Sequence, residues 1–258
     1  MGNEIKICIP SFKRWGALDG KDYFTTAKYV VPESQRDEYT QAVGAARLIV
    51  IPDEDDGSIP RKRNWILKNV ERPLVMLDDD VRCLTTTEGL YSDDGKFLQT
   101  KRMVKLTPEV AMRVLVEGFN LAHQWGCVYW GINVNTDGRN YQQYKPFSLS
   151  QMVLGPFHAH LNHDLLYDER LPFKEDYDFS LQVLCRHKKV LRMNKFGYYC
   201  EHATNPGGVV SMRTLQRERS NCLAIMRKWG SKIIKYDINH GSMTKLLNGQ
   251  VNVPIHGV

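Results

Sequence analysis

The chain has 258 residues, enough for one large α/β domain, or one domain with a small appendage, to bury a core without staples. At 42% hydrophobic, 25% charged and 10% aromatic it has the composition of an ordinary globular protein, with no low-complexity stretch or internal repeat to suggest a disordered or solenoid class. A net charge of +6 leaves a polyanion partner open without requiring one.

The six cysteines, Cys8, Cys83, Cys127, Cys185, Cys200 and Cys222, form no C-x-x-C pair. Several sit in apolar segments, as reduced thiols of a cytoplasmic protein do, so neither a disulfide frame nor a zinc site is expected. No signal-peptide core opens the chain, and no apolar run approaches the roughly 18 residues of a membrane span. Lys6 stands where a myristoylation motif at Gly2 wants Ser or Thr. A cytoplasmic protein with no membrane attachment is expected.

Residues 4–10 alternate like a strand that ends at Pro10, and Ser11-Phe12-Lys13-Arg14 leaves it as a loop. Residues 29–32 predict a second strand, 33–39 a helix and 47–51 a third strand closed by Pro52-Asp53. After an acidic loop over 54–58, residues 59–70 predict a helix with Ser58 as its cap and Pro60 in its first turn. Residues 72–77 form an apolar strand that runs into Asp78-Asp79-Asp80. Thr107-Pro108-Glu109 opens a helix to about Trp125, residues 128–134 predict a strand, and 147–154 one more. Helix is expected over 179–185, strand over 190–199, and a long basic helix over 213–229, with no pattern after Gly241.

Strand and helix alternate through the first half. That order predicts an α/β fold with a mainly parallel sheet and helices on both faces. Ligands of such sheets bind beyond the carboxyl ends of strands, which directs attention to Ser11, Arg14, Asp53, Asp78 to Asp80, Asn133 and Glu201-His202.

The aspartate triplet is the strongest of these. Like charges gathered at the end of a buried strand each raise the ionisation cost of the next, and a divalent cation removes that cost. Hard oxygen ligands suit Mg²⁺ or Mn²⁺. Alternate residues of an extended segment share a face, so Asp78 and Asp80 should point together and Asp79 away. A solvated acidic turn is the competing reading. In Lys174-Glu175-Asp176-Tyr177-Asp178 three more carboxylates open a helix. Acids favour a first helical turn for its dipole alone, but Asp176 there is also a candidate general base, with Glu175 and Asp178 in support. His202 at the end of a late strand is a candidate third metal ligand, and Gly207-Gly208 a turn able to close over phosphate. At Ser58-Ile59-Pro60-Arg61-Lys62-Arg63-Asn64, cations oppose the dipole of a helix N-terminus, as they do where an anion binds. A solvated helix face explains the same run equally.

Taken in order, Ile9-Pro10-Ser11, the Ser58 to Asn64 helix start, Leu77-Asp78-Asp79-Asp80-Val81, Lys174-Glu175-Asp176-Tyr177-Asp178-Phe179 and Glu201-His202 resemble glycosyltransferases of the GT-A fold. More closely, they resemble the TET/JBP-associated family of phage DNA-modifying glycosyltransferases, over roughly residues 4–210. The resemblance implies a GT-A-like, Rossmann-type catalytic domain over 1–210. Beyond it no family motif is placed, and the basic helix read from the residues is expected to form an extension over 211–258 packed on the same domain, its charge suited to DNA. It implies a nucleoside-diphosphate-sugar donor, UDP-linked by preference, with Mn²⁺ or Mg²⁺. Pro10, Ser11, Arg14 and Asp53 would line the base and ribose. Arg61 and Asn64 would reach the ribose or diphosphate, Asp78 and Asp79 the ribose or donor sugar. Asp80, Asp78 and His202 would hold the metal, and Asp176 would be the base or a sugar-orienting acid. The implied acceptor is 5-hydroxymethylcytosine in DNA, and the implied location the host cytoplasm.

The residues leave retention or inversion open, and oligomeric state with it. A GT-A enzyme for glycan or protein acceptors and a non-catalytic DNA-binding relative are the competing functions. A nucleotidyltransferase is disfavoured, because Pro10-Ser11-Phe12-Lys13-Arg14 stands where a glycine-rich loop belongs.

Overall fold

The computed structural model describes residues 4–91, 94, 97–134, 137, 141–200, 213–239 and 242–253. Strands β1 (Lys6–Pro10) and β2 (Lys28–Pro32), helix α1 (Arg36–Val43), strand β3 (Leu48–Ile51), helix α2 (Ile59–Asn69) and strands β4 (Leu74–Leu77), β5 (Val81–Tyr91) and β6 (Phe97–Lys105) make the first half. Helix α3 (Pro108–Gln124), strands β7 (Tyr129–Ile132), β8 (Phe147–Ser148) and β9 (Phe157–His160), helix α4 (Glu175–His187) and strands β10 (Leu191–Met193) and β11 (Phe196–Cys200) come next. Helix α5 (Leu215–Trp229), strand β12 (Ile234–Lys235), helix α6 (Met243–Leu247) and strand β13 (Gln250–Val251) complete it.

Eight strands form one sheet in the order β3-β2-β1-β4-β9-β7-β10-β8. Strands β1 to β4 are mutually parallel and β10 is parallel to β7, while β9 and β8 run against their neighbours. The sheet is thus mainly parallel and the fold Rossmann-like, as the strand-helix alternation predicts. Side chains alternate along each strand, so Ile7, Ile9, Val75 and Leu77 enter one core and Cys8, Leu74 and Met76 the other. Helix α3 covers the first core with Leu115, Phe119 and Ala122; helices α2, α4 and α5 cover the second with Ile66, Phe179, Leu184 and Cys222. Helices therefore lie on both faces.

Local chemistry starts the helices where the sequence suggests. Ser58 accepts a hydrogen bond from Arg61 N, and Thr107 one from Val110 N, each with a proline in the first turn. Such caps contribute about 1 kcal/mol apiece. Helix α3 can lie on the buried Trp130 because position 118 is glycine; a Cβ there would stand 2.2 Å from the indole.

Three expectations change. Residues 190–199 are two strands, because Asn194-Lys195 turns the chain out of the main sheet: β10 pairs with β7, and β11 pairs with β5 in a separate three-stranded sheet, β11-β5-β6. Of residues 147–154 only Phe147 and Ser148 pair, as an edge strand on β10. The region after residue 241 carries α6 and β13. Its Leu246 shares the second core with Ile225, Tyr236 and Tyr177, so the extension and α4 have one interior in common. Among the described residues no helix is long and apolar enough to cross a membrane.

Candidate active site

Strand β1 sends its chain to β2 on one side, and β4 flanks it on the other. Strand order reverses here, and in sheets of this kind that is the place, beyond the carboxyl ends of β1 and β4, where ligands bind. Both strands lead into polar residues: β1 ends at Pro10 and gives way to Ser11, and β4 runs into Asp78, Asp79 and Asp80.

Asp79 ties the two ends together. Its Oδ2 accepts from Ser11 Oγ at 2.5 Å and its Oδ1 from Arg14 Nη1 at 3.0 Å. Ser11 has one proton and gives it to Asp79, so the contact with Tyr39 at 2.6 Å runs from the phenol to Ser11 Oγ. Arg14 N in turn donates to the Tyr39 oxygen. Burial pushes the Asp79 carboxyl up to about 7, with Asp78 and Asp80 acting the same way against Arg14 and Ser11. The first loop is also held from below, where the buried Lys62 donates to Ser11 O at 2.5 Å and pairs with Asp56 at 3.0 Å. Phe12 and Trp15 stand out of that loop with about a third of their surface open.

Asp78 turns the other way. Its Oδ1 accepts from Arg63 Nη2 at 2.8 Å, and Arg63 Nη1 reaches Glu175 Oε1 at 3.1 Å. One buried guanidinium thus joins the carboxylates that come after β4 to those that open α4. Burial opposes the Arg63 charge, but Asp78, Tyr167 and Glu175 outweigh it and hold the guanidinium above its ordinary value. Burial pushes Glu175 up to about 8, reinforced by Asp176 and opposed by Arg63. Asp176 is fixed by backbone: Oδ2 accepts from Gly155 N at 3.0 Å and Oδ1 from Tyr177 N at 2.8 Å. Gly155 has φ of +75°, and a Cβ there would stand 2.9 Å from the Tyr198 hydroxyl.

Asp80 leads into β5, whose Val81 pairs with Cys200 at the end of β11. Burial raises the Cys200 thiol to about 12, and the nearby charges of Asp80 and Asp78 add to the rise. Burial likewise raises Tyr198, with Cys200, Asp78, Asp176 and Asp80 acting in the same sense. Asp78, Asp80 and Asp176 therefore act on a common patch, with Asp79 turned inward. Glu201, His202, Gly207 and Gly208 lie outside the described residues. Among the described residues no group of three or more His, Cys, Asp and Glu side chains forms a metal-holding cluster.

A profile of the TET-Associated Glycosyltransferase family matches residues 5–208. The chain belongs to that family. No curated protein matches it. In this TET-associated glycosyltransferase the matched span includes the β1 loop, the aspartate triplet and the start of α4, and stops short of α5.

Four expected site residues make contacts away from the aspartate triplet. Asn64 is buried and clamps a loop, its Oδ1 accepting from Tyr167 N at 2.8 Å and its Nδ2 donating to Tyr167 O and Glu169 Oε1. Both ends of the amide are engaged within the fold. Asp178, expected beside the base, is fully buried and faces α5, where it accepts from Trp229 and Lys228. Asp53 caps the turn after β2 through Ser34 N and Oγ. Arg61 is half-exposed, 3.5 Å from Glu169.

Within its run of cations, nothing in residue type sets Arg63 apart. The signal that could have found it is helical spacing: Ile66 and Leu67, three and four residues on, are buried, so position 63 shares their inward face.

Proposed function

We propose that this glycosyltransferase moves a sugar from a nucleoside-diphosphate sugar, UDP-linked by preference, to a hydroxyl on 5-hydroxymethylcytosine in DNA, with Mn²⁺ or Mg²⁺ bound at Asp78, Asp80 and His202. The observation that carries the reading is the meeting of two carboxylate clusters at the switch point of the sheet, joined through Arg63. The donor set fits a hard divalent ion: Asp78 and Asp80 are partly exposed carboxylates acting on one patch, and His202 is two residues beyond Cys200, which pairs beside Asp80. A bound cation would neutralise the diphosphate and stabilise its departure.

The chain's own groups divide the remaining work. The β1 loop, held by Asp79, Tyr39 and Lys62, forms the nucleoside wall with Pro10, Ser11 and Arg14, and the open faces of Phe12 and Trp15 suit a base. Arg63 keeps Asp78 and Glu175 at fixed separation and supplies positive charge near the diphosphate. Glu175, raised to about 8, holds a proton near neutrality and is a poor base. Asp176 is left for that role: both its oxygens are oriented by backbone N–H groups, and each keeps a lone pair for an incoming hydroxyl. In an inverting reaction Asp176 takes the acceptor proton; in a retaining one it orients the sugar.

The test is incubation with Mn²⁺ and a panel of nucleotide sugars, once with 5-hydroxymethylcytosine DNA and once with plain DNA, and then nucleoside mass analysis. A sugar-sized gain on the modified base alone is expected. Metal-dependent donor hydrolysis with no gain would move the acceptor elsewhere. No response to any donor or metal would end the reading.

A further inference from the structure

The match to the family ends at residue 208, yet the start of α4, which carries Glu175 and Asp176, is held by α5, α6 and the residue before β13. Lys174 is buried and donates to Glu218 Oε1 of α5 at 2.5 Å and to Leu246 O of α6 at 2.7 Å. Tyr177 accepts from Gly249 N through its hydroxyl at 3.3 Å. Asp178 accepts from Trp229 Nε1 at 2.7 Å, and Lys228 Nζ lies 2.7 Å from the same oxygen.

These contacts obey helical geometry. Positions 174, 177 and 178 stand three and four residues apart and share one face of the first turn of α4. Residues 175 and 176 lie on the other side, where Glu175 meets Arg63 and Asp176 meets Gly155 N. The turn is gripped from behind by residues of α5 and α6 and by Gly249, and presents its carboxylates forward. Glu218 pairs with Lys174 and Arg213, and Trp229 with Asp178; none of these partners belongs to the β1 loop or the aspartate triplet, the proposed donor site.

We propose that the C-terminal extension is part of the transfer machinery, with Glu218 and Trp229 as positioning residues that set Glu175 and Asp176 against the acceptor. Glu218 acts through Lys174, and Trp229 through Asp178. The proposal rests on the transferase reading above and adds to it the requirement that the segment outside the family match governs the chemical step. Its signature is a split: turnover falls while donor binding holds, because the donor's wall is built on β1 and β4.

The experiment compares full-length wild type with Trp229→Phe and Glu218→Gln. Trp229→Phe keeps one aromatic ring while removing the indole N–H and the fused ring that carries it, and it leaves the buried Lys174–Glu218 pair intact, so it serves as the second variant should Glu218→Gln be unstable. Turnover per folded molecule is measured with whichever nucleotide sugar the wild type uses, and UDP affinity with Mn²⁺ by calorimetry. Trp229→Phe is expected to lower kcat about tenfold, since small misplacements of a reacting group are costly, with UDP affinity within about twofold of wild type. Trp229→Tyr, which does not restore the N–H at that position, should fail to rescue. Unchanged kcat in Trp229→Phe overturns the proposal and leaves the transferase reading intact. A parallel fall in UDP affinity also overturns it, since the effect is then on the whole fold. A wild type inert to every donor overturns both, and is told apart by that control.

Discussion

Replacing Arg63 with Met removes the guanidinium that spans the two carboxylate clusters while keeping most of the side chain's volume. The Arg63 side chain is 2% exposed, that of Glu175 12% and that of Asp78 37%. The Asp78 bond is screened, and its loss costs about 0–1 kcal/mol. The Glu175 bond is buried, but with its carboxyl held at about 8 that group is mostly protonated at pH 7, so no full buried charge is stranded. There remains a buried oxygen without its donor, about 1–3 kcal/mol. Removal of a buried guanidinium recovers part of the total through relief of its desolvation. The expected net loss is about 2 kcal/mol, a fall in Tm of roughly 4–8 °C for a chain of this size. Urea and thermal unfolding at pH 7 measure it, with turnover read on the folded fraction. Turnover should fall by far more than stability, because Asp78 and Glu175 lose their common reference. A variant with wild-type Tm and wild-type turnover would show that Arg63 does not bridge the clusters.

The same protonation argument makes Glu175→Gln mild at pH 7. The amide oxygen can still accept from Arg63, so a loss below about 1 kcal/mol by urea titration is expected, and a loss above about 3 kcal/mol would show an ionised Glu175. Stability should also depend on pH through the histidines packed against Tyr129, Tyr167 and Phe179. Burial pushes His158 and His160 well below 6.5 and His163 down to about 4. Their folded values lie below the unfolded one, so the stability is complete above pH 6.5 and is lost as pH falls from 6.5 toward 4. His163 alone contributes up to about 3 kcal/mol over that window, while Asp79 and Glu175, with folded values raised to about 7 and about 8, act in the opposite sense. The check is therefore the His163 imidazole titration itself, and an NMR midpoint near about 6.5 would contradict its burial as a neutral ring. Asp176→Asn should slow transfer at least about a hundredfold while UDP affinity is retained, as expected of a lost base; unchanged turnover would reduce Asp176 to a helix-opening residue.

The legible part of the sequence was local. Helices α2 and α3 announce themselves through Ser58 and Thr107 as caps with proline behind each, and β4 through an unbroken apolar run into the aspartates. The strand-helix alternation was enough for the parallel half of the sheet, and the position of Ser11 and Asp78 to Asp80 came from strand ends. Strand β9 was hidden because Phe157-His158-Ala159-His160 carries two histidines into a fully buried place, which apolar patterning does not anticipate. The hairpin of β5 and β6 was hidden by its polar residues, Arg82 and Thr85 to Thr87 among them, in a small sheet. The contacts of Asp178 and Asn64 were hidden for a shared reason. Carboxylates and amides beside a site look alike in sequence, and only contacts to Trp229, 51 residues away, and to Tyr167, 103 away, reveal which ones hold the fold. The grip of the extension on Lys174 is equally non-local, 44 residues from Glu218.

The central claim is metal-dependent sugar transfer at the aspartate triplet, and the most direct test pairs the wild type with Asp80→Ala. Both are given Mn²⁺ and the donor that the wild type consumes, with and without chelator, and sugar transfer is read by mass. Transfer by the wild type that chelator abolishes and Mn²⁺ restores, with none by a folded Asp80→Ala, is the predicted result. Undiminished transfer by Asp80→Ala, or by wild type in excess chelator, would contradict it.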